Sequence, residues 1–484
     1  MSAVARSALS RRQCCVGLVA LLGGLATEGC LTVSPQQERQ IGREEAQEVE
    51  KTVGLVRDQR LVEYITSIGA RLERAAGRVD IAWQWSIADD PELNAFALPS
   101  GWIYVTRGLL TLSNREDELA GVLAHEMAHV LERHAVKRVG AATPLAVLFG
   151  VPSGILGMVS PSLGGIVGGA GRVVSGLALA PYSRDQELEA DRIGIALAAR
   201  SGWDPAALGG LLGTLERAET LSGGSAKRSF FATHPSTPDR VAKIDVVAAS
   251  LSRAPVAPIM GSRAAFLGRL DGLVVGNNAA NGVFAGQLFL HPDFDLALEM
   301  PANWKTGNSP EAAGAIAPAE SAVVFLHVVG DGNDPVAGAK ADGLTDAQVE
   351  RVRRFQISQL PAAAVNARTR HGTHVALTWI AHRSRIFRVT GVCARADWDR
   401  YRPEFERTAA SFRPLRVDEA ARIAQSRLRI RTARAGESIA VVLARGGATW
   451  TPAQAALANG VAPGRRLERD WPVKVAISER YRSE

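Results

Sequence analysis

Cysteine is scarce in this chain: four among 484 residues. Three of them, Cys14, Cys15 and Cys30, fall in the first thirty positions, so the remainder carries Cys393 alone. No disulfide can close within that remainder, which excludes a disulfide-framed scaffold and leaves buried apolar surface to hold the fold. Long unbroken apolar runs are missing as well. Val16 to Leu25 is too short to span a bilayer. The apolar stretch 140–180 is interrupted by Pro144, Pro152 and Pro161 and by seven glycines between 150 and 169, which argues against one continuous span. Histidine is rare, at nine residues, so two of them in a motif carry information. The hydrophobic share of 46% is that of an ordinary globular protein, and the length is enough for about two to four domains.

The chain is organised around Gly121–Leu131, which holds His125, Glu126 and His129 in the pattern H-E-x-x-H. Leu119, Val122 and Leu123 recur at helical spacing ahead of it. Ser113 or Asn114 is expected to cap the helix, with Glu116, Asp117 and Glu118 in the first turn. At about 100° per residue, His125 and His129 stand on one face, one turn apart. Two imidazoles so placed suit one Zn²⁺, and Glu126 beside them suits a general base. The bland alternative is an amphipathic helix that happens to contain two histidines.

A zinc site needs a third protein ligand. His134 is a poor one: on a continuing helix it lies about 180° from His125 and is expected to face solvent. The segment 183–194 (S-R-D-Q-E-L-E-A-D-R-I-G) is better. Ser183 and Gln186 make a capping box, so a helix starts there. Glu187 and Asp191 share one face, with Glu187 placed to complete a two-His, one-Glu set. Asp191 is placed to accept the free ring N–H of a ligating histidine. Glu189 points about 160° from Asp191 and does not share that face. Without the first motif, this segment would read as a charged surface helix.

Together, H-E-M-A-H, E-L-E-A-D and the stretch N-A-F-A-L-P-S-G-W-I-Y-V-T-R-G-L-L (94–110) resemble the HtpX and CAAX-prenyl-protease type of zinc metallopeptidase, in its soluble envelope branch. The resemblance covers residues 35–250. It implies a mostly helical gluzincin with a small β-sheet, one zinc ion per chain on His125, His129 and Glu187, and Glu126 as catalytic base. It also implies that Asn94, Ala95, Phe96 and Ala97 line the cleft and receive substrate as an added strand. His234, in an extended loop before Pro235, stands at a family position. It is expected either to reach the metal in a resting state or to stabilise the oxyanion, the alternative being a loop histidine that touches nothing.

Taken in order, residues 1–30 read as a targeting segment: Arg6, Arg11 and Arg12, a short apolar core, then A-T-E-G-C ending at Cys30. Cys30 is the expected lipidation site, although Thr27 and Glu28 depart from the usual pattern. Residues 31–250 are the expected metallopeptidase domain. In it Leu61, Tyr64, Ile65, Ile68 and Leu72 mark a helix, 82–89 and 102–106 read as strands, and Pro99-Ser100-Gly101 as a turn. Another helix begins at Asp204-Pro205. The stretch 140–180 reads as a mobile apolar cover over the cleft.

A Pro-marked linker at 251–262 precedes an α+β domain, 263–415, with a faint likeness to the PsbP/Mog1 sheet and no evident chemistry. Its strands include 293–301 and 322–329, with a hairpin about Ala381–Arg383; 346–360 reads as an amphipathic helix and 402–412 as another. His371 and His374 have no third ligand near them and read as strand surface. Residues 421–484 resemble a LysM module in the order strand, helix, helix, strand. With 12 Lys and Arg against 5 Asp and Glu, this tail matches the formal net charge of the whole chain, +7, which favours an anionic surface such as peptidoglycan.

The fold expected is therefore multidomain: gluzincin, α+β domain, small βααβ module. The function expected is an exported, lipid-anchored periplasmic endopeptidase that degrades misfolded or misassembled envelope proteins. Its partners would be polypeptide substrates, peptidoglycan through 421–484 and a membrane through Cys30. Nucleic acid is not among them, for want of stacking motifs. The alternatives are a chaperone or wall-anchored binding protein with minor hydrolysis, and a peptidoglycan peptide hydrolase.

Overall fold

The computed structural model describes residues 33–141, 181–221, 223, 230–235, 238–368 and 373–483. The targeting segment with Cys30, nearly all of the apolar stretch 140–180, and His371 lie outside the described residues.

Helices α1 (Pro35–Thr52) and α2 (Gln59–Ala76) open the first domain. In α2 the expected stripe Leu61, Tyr64, Ile65, Ile68 and Leu72 is buried. Strands β1 (Gln84–Ala88), β2 (Ala95–Leu98) and β3 (Trp102–Thr106) form a sheet in the order β1-β3-β2, so β2 is an edge. β1 runs parallel to β3 and β2 antiparallel to it. The β2–β3 turn needs a left-handed backbone at Ser100 (φ 66°) and Gly101 (φ 100°), which only glycine adopts freely.

After α3 (Arg107–Leu112) comes the central helix α4 (Glu116–Leu131), buried along almost its whole length. It is not capped as expected. Arg115 occupies the N-cap without a side-chain bond. Ser113 Oγ instead donates to the Leu109 carbonyl, and the backbone N–H of Asn114 donates to the Glu118 carboxylate at 2.7 Å. Glu116 turns inward and accepts from Tyr64 Oη, Trp203 Nε1 and the backbone N–H groups of Ile259 and Met260, at 2.6–3.1 Å. The start of α4 is thus fixed by tertiary partners, not a local cap.

Helix α4 ends at Leu131, and Arg133 takes φ 54°. The chain therefore changes direction before α5 (His134–Ala141). This overturns the continuing-helix expectation for His134, which is fully buried. Helix α6 (Arg184–Arg200) starts at the expected capping box: Ser183 Oγ accepts from Gln186 N, and Gln186 Oε1 from Ser183 N. It packs on α4 at Gly194, where a Cβ would lie 2.9 Å from the His125 backbone, so only glycine permits this approach. Helices α7 (Ala207–Leu221), α8 (Phe230–Thr233) and α9 (Pro238–Ala249) complete the domain. Fully burying each large apolar side chain of such a core, Leu119 or Leu123 for example, contributes about 1.5–3 kcal/mol.

Helix α10 (Arg263–Leu270) lies within the stretch 263–415 assigned to the α+β domain. Yet Phe266, Leu267 and Leu270 join the core of the first domain. Strand β4 (Val274–Val275) pairs with the C-terminal module. Strands β5 (Val283–Ala285), β6 (Leu288–His291) and β7 (Leu296–Glu299) make a three-stranded sheet. Then β8 (Lys305–Asn308), β9 (Ala312–Ile316), β10 (Ala322–Asp331), β11 (Arg353–Ile357), β12 (Leu360–Arg368), β13 (Thr373–His382) and β14 (Arg385–Ala394) build an antiparallel sheet in the order β11-β12-β13-β14-β10-β9-β8. The expected helix over 346–360 is not there. Only Asp346–Val349 is helical, and β11 and β12 form a hairpin around Ser358 (φ 49°) and Gln359 (φ 68°). Val349, Val352 and Phe355 match helical spacing, but Arg353, Phe355 and Ile357 match the strand period equally, and pairing with β12 decides. Helix α11 (Trp398–Ala410) covers β14.

The last module runs β15 (Ala424–Thr432), α12 (Ile439–Leu443), α13 (Pro452–Ala458) and β16 (Pro472–Arg480), with β15 and β16 antiparallel. It is docked on the first domain. Lys474, fully buried, donates through Nζ to the carbonyls of Thr111 and Ser113, both at 2.7 Å. Among the described residues, no helix is long and apolar enough to cross a membrane.

Candidate metal centre

Helix α4 supplies His125, Glu126 and His129, helix α6 supplies Glu187 and Asp191, and the residue after α8 is His234. All six are buried. His125, His129, Glu187 and His234 bring one donor atom each to within 4.8 Å of one another. The separations are 3.0 Å between the two Nε2 atoms of His125 and His129, 3.3 Å from His129 Nε2 to Glu187 Oε1, and 3.3 Å from His125 Nε2 to His234 Nδ1. Donors bound tetrahedrally at about 2.0–2.1 Å would stand roughly 3.3 Å apart, so the cluster fits a single ion of zinc size. Its donor set, imidazoles and one carboxylate, is also that of a metal.

Electrostatics agree. Burial pushes the His129 imidazole well below its ordinary value, so it is neutral with a lone pair to give. Burial opposes charge on Glu187, but the neighbouring imidazoles of His234 and His129 outweigh it and hold the carboxyl well below the usual range. Burial drives the Glu126 carboxyl upward, and neither of its oxygens has a hydrogen-bond partner. A buried, unsatisfied carboxylate is costly, and it marks a group kept for chemistry.

The expected residues divide plainly. His125, His129, Glu187, Glu126 and His234 come together. Asp191 Oδ1 lies 3.0 Å from His125 Nδ1, as an orienting carboxylate should. His234 is not in an extended loop: its N–H closes the α8 turn on the Phe230 carbonyl, and its Nε2 lies 3.4 Å from Glu126. Asn94 is buried and held by Thr106, while Ala95, Phe96 and Ala97 lie on β2, whose outer edge has no partner strand among the described residues. A small cavity joins Ala97 and Leu98 of β2 to His129 and Tyr182.

Sequence reading passed over Arg240 and placed His134 in solvent. Arg240 is 1% exposed, and it joins Asp191 at 2.7 and 2.8 Å and Glu187 at 2.5 Å. Its one signal is position, six residues after His234. His134 Nδ1 sits 2.9 Å from His129 Nδ1.

Residues 59–248 match the model of peptidase family M48. Over this stretch the chain is similar to the M48 peptidases. The chain is 34% identical over 185 residues to the mitochondrial metalloendopeptidase OMA1 of Schizosaccharomyces pombe, which is 38% of this chain and 51% of that protein. It is 32% identical over 226 residues to the beta-barrel assembly-enhancing protease of Escherichia coli K12, 46% of each chain. The match spans about half the length of these relatives. A solution structure of cyanobacterial PsbP from Synechocystis sp. PCC 6803 aligns with 29% of this chain and 98% of that one, at 12% identity and a TM-score of 0.22, too low to carry an argument. The matched stretch thus contains every residue of the cluster, and a metal is the group its side chains are arranged to hold.

Proposed function

We propose that the protein is a zinc-dependent endopeptidase of the bacterial cell envelope that degrades misfolded or misassembled envelope proteins. One observation carries the reading: a buried four-donor cluster stands against a carboxylate, Glu126, whose oxygens accept no hydrogen bond and face His234 Nε2 at 3.4 Å. His125, His129 and Glu187 would hold the ion, with His234 as a fourth donor when no substrate is bound. Zinc there supplies a Lewis acid that polarises the scissile carbonyl and lowers the pKa of water.

The chain's own residues do the rest. Substrate lies along the free edge of β2, with main-chain hydrogen bonds at Ala95 and Ala97. Glu126, whose carboxyl burial drives upward, takes a proton from the attacking water at a carboxylate oxygen and passes it to the leaving amine. His234 Nε2, beside Glu126, donates to the oxyanion once the ring leaves the cluster.

The names of the relatives favour protein substrates, and one concerns β-barrel assembly, which supports an envelope setting. We assign residues 424–480 a LysM-like role on peptidoglycan, supported by the strand–helix–helix–strand order and the positive charge of 421–484. Export, with a lipid anchor on Cys30, completes the proposal.

The test is zinc content and β-casein digestion, wild type beside Glu126→Gln. One zinc in both, with cleavage in the wild type alone, is expected. Absence of zinc from both, under conditions where the fold is intact, overturns the metal assignment.

A further inference from the structure

His134 has no part in the reading above, yet it is buried against a proposed ligand. Its Nδ1 is 2.9 Å from His129 Nδ1, and its Nε2 is 3.1 Å from Glu189 Oε2. Glu189 is partly exposed, with 41% of its side chain accessible, while His134 shows none. Tyr182 stacks on the His129 ring at 3.7 Å and fixes its plane.

These contacts determine the tautomers. His129 turns Nε2 toward His125 and Glu187, so Nε2 is the atom that faces the donor cluster. A neutral imidazole has one N–H and one lone pair. With the Nε2 lone pair given to an ion, the proton sits on Nδ1 and points at His134 Nδ1. That atom must then accept, so the His134 proton sits on Nε2 and is donated to Glu189. One chain of hydrogen bonds runs from the cluster through His129 and His134 to a carboxylate at the surface. His125 has a different support, Asp191 and behind it Arg240.

We propose that His134, backed by Glu189, is a positioning residue for the metal centre: it accepts the Nδ1–H of His129 and so sets that ligand's tautomer and orientation. The proposal rests on the metal reading of the site. Hydrogen-bond acceptors behind ligating histidines raise ligand basicity, and their loss typically weakens metal binding about 10–100-fold. The arrangement is local in sequence but invisible to periodicity, because Arg133 at φ 54° brings His134 back over its own helix end.

The test uses the full chain with Glu126→Gln, which prevents self-digestion. Zn²⁺ affinity is measured by competition with a chromophoric chelator, and the visible spectrum is recorded with Co²⁺ in place of zinc. His134→Phe keeps the ring volume and removes the acceptor. His134→Asn loses volume but sets an oxygen near the former Nδ1. Binding about 10–100-fold weaker with an altered Co²⁺ spectrum is expected for Phe, and recovery to within a few-fold with a parental spectrum for Asn. A packing role predicts the reverse order. Glu189→Ala, at a partly exposed position, is expected to weaken binding a few-fold and serves if the Phe variant does not fold. Phe binding like the parent, Asn no better than Phe, or Glu189→Ala without effect overturns the proposal. A parent that binds no zinc overturns instead the metal reading beneath it.

Discussion

Arg240 grips Asp191 with two prongs, Nε to Oδ2 at 2.7 Å and Nη2 to Oδ1 at 2.8 Å. Both side chains are buried, and Arg240 also reaches Glu187. One guanidinium therefore holds a carboxylate proposed to bind the ion and another that steadies His125. Arg240→Ala would strand two carboxylates without their counter-charge. A loss of about 3–5 kcal/mol in urea unfolding of the metal-free protein is expected, as for breaking a buried pair. Arg240→Lys keeps the charge but not the fork, so an intermediate loss is expected, with weaker zinc retention during dialysis.

What the sequence made legible, and what it hid, follows from locality. His125 and His129, like Glu187 and Asp191, stand four apart within one helix, and helical geometry alone puts each pair on one face. That α4 and α6 come close enough to merge the pairs depends on Gly194, whose importance shows only once the His125 backbone is seen against it. His134 was misplaced because one left-handed residue, Arg133, ends the helix on which the angle was counted. Arg240 was passed over because nothing in its own segment demands a carboxylate partner 49 residues away. Residues 346–360 fit both periods, and the partner strand β12 settled the matter. The docking of the last module draws, beside Arg263 and the β4–β15 pairing, on a buried lysine that composition would place in solvent.

That lysine gives the second prediction. Lys474 bonds Thr111 and Ser113 just ahead of α4, while Arg263 bonds Asn114 through Nη2 and the Pro472 carbonyl through Nη1. The module is thereby tied to the helix that carries the H-E-x-x-H residues. Lys474→Ala removes a buried amino group and leaves polar carbonyls facing a void. Destabilisation of about 2–4 kcal/mol is expected. Limited proteolysis should then release 424–480 sooner than in the wild type. Equal release rates would show that other contacts hold the module.

A third concerns acid. His291 is buried, stacks on Phe294 at 4.1 Å and accepts from its backbone N–H at Nδ1. Burial pushes its pKa down to about 4, against the pull of Asp293. The unfolded chain binds the proton at its ordinary value of 6.5, so between there and about 4 it holds more protons than the fold does. The stabilising contribution is complete above 6.5 and is lost as pH falls through about 4. His291→Phe keeps the stack and cannot titrate. Its urea midpoint should vary less with pH across that window than that of the wild type, by an amount equivalent to about 1–3 kcal/mol.

The fourth tests the ion's hold on the fold. A ligand that binds only the native state adds RT ln(1 + [L]/Kd), about 2.7 kcal/mol at a hundredfold excess over Kd. Chelation of the wild type should therefore lower the melting temperature by several degrees. Glu187→Ala removes a proposed ligand and should melt near the chelated wild type. Chelation should then lower it little further, because both treatments remove one and the same interaction and cannot add. Full additivity would mean that Glu187 stabilises the fold by other means, through Arg240, and that the ion is held without it. Comparing the two melting shifts in one double cycle thus separates the ligand role of Glu187 from its ion pair.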